Sequence, residues 1–189
     1  MKKKLIALFC VGLLAAGSQV FGASALGKGQ FYVSARGGAM TVDRVTTAAG
    51  TKVTLDTGYA ITGAVGYVMP IYDLGNPYRP LKLRLEIESG YAEASKSGYK
   101  VKIVPVMFNA MLEYNLTEKI YVFGGVGGGL SIQKSTGEDD HNYYAVQARG
   151  GVGYMFNEVL SLELSYRLYA QQFKSPLAQM FEGGITMRF

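Results

Sequence analysis

Between Leu81 and Tyr91 the chain reads Leu-Lys-Leu-Arg-Leu-Glu-Ile-Glu-Ser-Gly-Tyr, apolar or neutral at odd numbers and charged at even numbers as far as Glu88. Successive side chains of a β-strand point to opposite faces, so one face here is oily and the other carries Lys82, Arg84, Glu86 and Glu88. The period recurs. Leu160, Leu162, Leu164, Tyr166 and Leu168 alternate with Ser161, Glu163, Ser165 and Arg167. Val104, Val106, Phe108, Ala110, Leu112 and Tyr114 stand against a face that holds Asn109 and Glu113. The chain closes on Phe181, Gly183, Ile185, Met187 and Phe189 against Glu182, Thr186 and Arg188.

Weaker stretches keep the same rhythm. Gln30–Met40 sets Phe31, Val33 and Ala35 opposite Tyr32, Ser34 and Arg36, and Tyr59–Val68 carries Ile61 and Val65. Tyr143–Met155 sets Tyr144, Val146, Ala148, Val152 and Tyr154 against Gln147 and Arg149. Ile120–Ser131 is mixed and glycine-rich on both faces, so its inward side is not readable from pattern. Runs of about ten residues are the length with which tilted strands cross a membrane, and about eight runs make the smallest common barrel of that kind.

A soluble sandwich would also alternate, with its charged face in water. Three features point to the membrane instead. One face is expected to collect Arg36, Arg84, Glu86, Glu88, Glu113, Arg149, Glu163, Arg167 and Glu182. The 14 tyrosines and 9 phenylalanines include Tyr91, Tyr114, Tyr154 and Phe189 at strand ends, where amphipathic rings suit a membrane interface. The last strand ends on an aromatic residue. The fold expected is all-β: an eight-stranded antiparallel up-and-down transmembrane β-barrel over 26–189.

The first 25 residues read as a secretory signal peptide. Lys2, Lys3 and Lys4 precede an apolar run from Leu5 to Ala16, and Ala23-Ser24-Ala25 is a small-x-small exit, with cleavage expected after Ala25. The run is shorter than the ~20 apolar residues of a spanning helix. Cys10 follows Phe9 inside the run, which is not the setting of a lipid-modified cysteine. Removing 25 residues from 189 leaves 164; the basic count falls from 19 to 16 against 14 acidic residues, so the net charge drops from +5 to +2. The sequence pI of 9.2 is therefore partly the signal's, and a nucleic-acid partner is not expected. Cys10 is the single cysteine, so the mature part can have neither a disulfide nor a thiolate metal site.

The connections fall into two sizes. Thr41–Asp56, Ala92–Lys100, Gln133–Asn142 and Gln171–Pro176 read as outer loops, while Asn115–Glu118 and Phe156–Glu158 read as short turns. Met69–Pro80 is a turn-rich exception, with Pro70, Gly75, Asn76, Pro77 and Pro80. Long loops on one rim and short turns on the other suit an outer-membrane barrel with both termini on the periplasmic side.

The sequence resembles the small eight-stranded outer-membrane proteins of the OmpA-barrel and opacity-protein type. The resemblance is carried by Gln30-Phe31-Tyr32-Val33, by Val104-Pro105-Val106-Met107 and by the terminal Gly183–Phe189. It implies an outer-membrane location, with outer-membrane lipid and the barrel-assembly machinery as partners. Phe181, Ile185, Met187 and Phe189 match the terminal signal which that machinery reads in such families. A peptidoglycan-binding second domain is not implied.

About eight strands enclose a space that side chains roughly fill, and charges inside it must be paired. If Met155 and Val159 close the short connection, Arg149 faces Ser165 with Glu163 diagonal to it, and an Arg149–Glu163 contact is expected. Such a network is expected to fix the fold rather than to conduct.

Catalysis finds little support. His141, the single histidine, lies in Gly137-Glu138-Asp139-Asp140-His141-Asn142 and lacks the spacing of a metal site or the company of a triad. Deacylases of the resembled group place a serine two residues beyond the histidine, where this chain has Tyr143. A solvated loop tip is expected for it. Gly124–Gly129 lacks the Lys-Ser/Thr of a phosphate loop and suits tight packing of a narrow barrel. No catalytic residue, cofactor or metal is assigned. The expected role is structural and adhesin-like, through Thr41–Asp56 and Gln133–Asn142 towards host or cell-surface molecules. The alternatives are binding or passage of a small hydrophobic molecule, and lipid-modifying catalysis.

Overall fold

A computed structural model of the chain describes residues 29–42, 45–46, 52–53, 57–72, 80–96, 99–135, 141–171 and 177–189. The expected signal segment, including Ala23 and Ala25, lies outside the described residues. The strands are β1 (Gln30–Val42), β2 (Val45–Thr46), β3 (Lys52–Val53), β4 (Gly58–Tyr72), β5 (Leu81–Lys96), β6 (Tyr99–Asn115), β7 (Ile120–Ser135), β8 (His141–Met155), β9 (Leu160–Gln171) and β10 (Ala178–Arg188).

Eight of them close into one antiparallel barrel in the order β1-β10-β9-β8-β7-β6-β5-β4, with β1 returning to β4. β2 and β3 form a separate two-stranded ribbon in the connection from β1 to β4. Each remaining strand pairs with its chain neighbours, as an up-and-down barrel requires. Closure joins the first and last strands: Val33 faces Met187, Ala35 faces Ile185, and the Phe189 N–H donates to the Phe31 carbonyl at 2.8 Å.

The alternation read from the sequence is the alternation of the wall. Arg84, Glu86 and Glu88 are buried on the inside of β5, whereas Ile87 on the other face is exposed. The undecided strand β7 is resolved too. Tyr121, Phe123, Gly125, Gly127, Gly129 and Ser131 face inward, and Val122, Val126 and Leu130 face outward. Its three inward glycines stand opposite Met111, Asn109 and Met107 of β6, and a Cβ at any of them would overlap the facing residue. The glycine run therefore makes room for large neighbours inside a narrow tube.

The two short turns share one device. Thr117 Oγ1 accepts from the N–H groups of Lys119 (3.2 Å) and Ile120 (2.9 Å); Asn157 Oδ1 accepts from those of Val159 (3.0 Å) and Leu160 (2.7 Å). Each side chain replaces backbone partners that a tight reversal leaves unmade.

The strands run further than the alternation. Thr41–Val42, Ala92–Lys96, Tyr99–Lys100, Gln133–Ser135, His141–Asn142 and Gln171 were expected in outer loops but belong to strands, and Lys96 pairs with Tyr99. Met69–Tyr72, expected in a turn-rich excursion, likewise extends β4, with a register shift between Pro70 and Tyr72. In these extensions the inner face packs an apolar cluster while the outer face carries polar residues, so strand pairing continues where the apolar-out alternation inverts. Strands of 15 to 17 residues (β4 to β8) exceed the roughly 9–11 residues that a tilted crossing needs. They are long enough to project past the membrane.

Candidate functional site in the barrel lumen

The inside of the barrel holds two different fillings. From the middle towards the short-turn rim it is charged. Arg36, Arg84, Arg149, Arg167 and Arg188 are all buried there, with Glu86, Glu88, Glu113, Glu163 and Glu182. Five guanidinium groups meet five carboxylates, and the half-buried Lys82 adds a sixth cation beside Glu113.

Glu88 is the hub. It pairs with Arg36 at 3.2 Å, with Arg149 at 2.8 Å and with Arg167. Glu86, two residues earlier and so on the same face, pairs with Arg36 at 3.1 Å and Arg149 at 2.6 Å, and accepts from Tyr32 Oη and Asn109 Nδ2. Glu163 takes Arg84 at 2.9 Å and Arg36 at 3.5 Å, plus the Tyr121 hydroxyl at 2.8 Å. Arg188 grips Glu113 with both terminal nitrogens, at 3.1 and 2.9 Å, while Arg84 and the half-buried Lys82 approach that carboxylate at 3.4 Å. Arg167 reaches across to Glu182 at 2.9 Å. Aromatic faces complete the shell: Arg84 lies over Tyr32 and Phe123, and Arg188 over Tyr121. Charges taken from water are tolerable when every one is paired and hydrogen-bonded, and here each carboxylate has at least one cation in reach.

Local sequence explains why the long side chains fit. Tyr32 leans over Gly66, its cross-strand partner, and a Cβ there would come within 2.5 Å of the ring. Arg36 lies likewise over Gly184, and Tyr121 over Gly153.

Towards the loop rim the lumen turns apolar. Met40, Val42, Ala60, Ala92, Ala94, Val101, Ile103, Met107, Ala145, Tyr169, Ala178 and Met180 form one buried cluster. A smaller one, Met111, Tyr121 and Phe123 with Met155 against it, lies on the short-turn side.

All nine charged residues expected inside are there, but two details differ. The Arg149–Glu163 contact is not made: Arg149 binds Glu86 and Glu88, and Glu163 binds Arg84 and Arg36. The expected register is two residues off. Arg149 faces Arg167 and Met155 faces Ser161, because residues 156–160 lie between the last facing pair where 156–158 were expected, with the Phe156 and Asn157 N–H groups both directed at the Leu160 carbonyl. The two opposed arginines share Glu88, which removes the penalty of facing like charges. Arg188, Lys82, Tyr32, Asn109 and Gln147 also join the network. Lys82 and Arg188 sit on the charged side of their strands in the sequence and could have been assigned from it.

His141, expected at a loop tip, opens β8 opposite Gln133. Strand pairing reaches it because β7 and β8 continue beyond the apolar belt. Phe181, Ile185, Met187 and Phe189 share the exposed outer face at the end of the chain.

An outer membrane protein β-barrel domain model matches residues 6–189. The chain belongs to that family. It is an outer-membrane protein. No curated protein matches its sequence significantly. Among solved structures, the Neisserial surface protein A is similar with a TM-score of 0.63 at 17% identity, over 84% of this chain and 97% of that one. Ail, the attachment invasion locus protein of Yersinia pestis, gives 0.46 at 15% identity, over 84% and 98%. The outer membrane enzyme PagL gives 0.46 at 16%, over 82% and 98%. At 17% identity the likeness to the Neisserial protein is one of fold alone.

Proposed function

We propose that this barrel serves as a structural and surface-interaction protein, meeting host or cell-surface molecules through its extracellular side. The observation that carries this reading is the filled lumen. An ion network occupies its lower and middle part and packed apolar side chains its upper part, so the surfaces left for function are the outer rim and the outer wall. Strands that project beyond the membrane supply a rigid base for the segments 43–56 and 136–140. The passage of a small hydrophobic molecule, the alternative open to the sequence, would need the Met40–Met107–Met180 cluster to part. The outward column Phe181, Ile185, Met187 and Phe189 we assign to recognition by the barrel-assembly machinery.

The test is adhesion of bacteria that display the protein, with segments 43–56 and 136–140 replaced together by short Gly-Ser turns. Retained heat-dependent gel migration shows an intact barrel. Loss of adhesion with the barrel intact supports the reading, and undiminished adhesion refutes it.

A further inference from the structure

The charged part of the lumen holds more cations than anions. Arg36, Arg84, Arg149, Arg167, Arg188 and the half-buried Lys82 meet Glu86, Glu88, Glu113, Glu163 and Glu182, six against five. The surplus gathers at Glu113. That one carboxylate serves Arg188 at 2.9 Å, Arg84 at 3.4 Å and Lys82 at 3.4 Å. Among the described residues, only Arg84 of these three reaches a second carboxylate, Glu163 at 2.9 Å.

A second observation falls at the same level. On the inward faces of β1 and β10, Tyr32 stands opposite Arg188 and Ser34 opposite Thr186. Side chains placed in this way across two strands lie within about 4.5–8 Å of one another. The Ser34 hydroxyl, the Thr186 hydroxyl and Arg188 Nε are buried there and make no hydrogen bond. Arg84 reaches the same place from β5. Its guanidinium carbon lies 4.7 Å from the centre of the Tyr32 ring, and its Nε and Nη2 are likewise buried without a partner. Ser34 is 7% exposed, and Thr186, Arg188 and Arg84 are 1%, 4% and 1% exposed.

Four neighbouring side chains thus leave five donors unmet, and buried donors are costly without acceptors. The nearby carboxylates are engaged. Glu113 is held by Arg188, Arg84 and Lys82, and Glu163 by Arg84, Arg36 and the Tyr121 hydroxyl. Water could accept from the donors, but it carries no charge and leaves the sixth cation uncompensated. A small anion meets both needs. One surplus positive charge matches one negative charge, so a divalent phosphate or sulfate would overshoot it.

We propose that the lumen binds one monovalent anion of halide size, held by Ser34, Thr186, Arg188 and Arg84 and balancing the charge of Lys82. Lys82, whose side chain is 19% exposed, marks the approach from the short-turn rim. The ion is a structural ligand of the closed barrel, and chloride is the probe that tests it.

The test is urea unfolding of the mature protein folded in phosphatidylcholine vesicles, in sodium chloride against sodium gluconate at constant ionic strength. A ligand bound only by the folded state stabilises it by mass action. Above the dissociation constant, the unfolding constant is expected to fall about tenfold for each tenfold rise in chloride. Bromide should act like chloride. Lys82→Gln, which brings the count to five against five, should remove the dependence. Ser34→Ala/Thr186→Val, which removes two donors, should raise the chloride concentration needed by about tenfold. Heat-dependent gel migration identifies folded variants. Equal stability in chloride and gluconate overturns the proposal, as does an undiminished dependence in either variant. A crystal grown in bromide gives an independent readout. An anomalous peak in contact with Ser34 Oγ, Thr186 Oγ1 and Arg188 Nε is expected, and ordered water alone at that place refutes the site.

Discussion

The two halves of the lumen fill the same tube by opposite means. Around Glu88 the filling is ionic: Arg36, Arg149 and Arg167 converge on one carboxylate, and any change of partner leaves a buried charge behind. Around Met40 and Met107 it is apolar, and what matters is volume. The first is intolerant of altered chemistry at constant shape, and the second of altered shape at constant chemistry. The charged half also specifies register, since a slip of one residue would send its charges into lipid at ~2–4 kcal/mol for each Arg or Lys near the midplane.

Isosteric substitutions separate the two most sharply. Glu88→Gln keeps the shape and removes the charge, and is expected to lower the unfolding free energy in lipid vesicles by about 3–5 kcal/mol. Met40→Leu, equally conservative in volume, should cost less than about 1.5 kcal/mol in the same urea titration, whereas Met40→Ala should cost about 3 kcal/mol. A Glu88→Gln variant as stable as Met40→Leu would erase the distinction. Next in size, Gly127→Ala places a Cβ against Asn109, whose amide donates to Glu86 and accepts from Gln147, and is expected to cost about 1–3 kcal/mol. The smallest effect lies outside both halves: Asn157→Ala removes the acceptor for two turn N–H groups, at about 1 kcal/mol in the same titration.

Much of this was legible in the sequence because a membrane barrel writes its two faces into alternate residues. Leu81–Tyr91 alone shows which side of β5 faces the lumen, and the nine charges assigned to the interior are found there. What the sequence hides is what pairs across the tube. Arg84 reaches Glu163 on β9, and Arg188 reaches Glu113 on β6, contacts between strands that are not neighbours. No local pattern encodes them. The Arg149 register was missed through one turn residue, since Asn157 draws both following N–H groups onto its side chain and lengthens the turn. The apolar upper half was also unread. Ala92, Ala94, Val101 and Ile103 alternate with Glu93, Ser95, Lys100 and Lys102, which inverts the usual sense of apolar-out above the membrane. That inversion made the strand ends look like loops, and it places the outward lysines on the wall.

Over the described residues the lumen is filled by the ion network and the apolar cluster above it. The most direct test of that filling is the ionic conductance of the refolded mature protein in a planar bilayer. A filled lumen gives no resolved channel at moderate voltage for the wild type. Reproducible ohmic openings in preparations that show full heat-dependent gel migration would contradict it, and would move the function of this barrel from its surface to its interior.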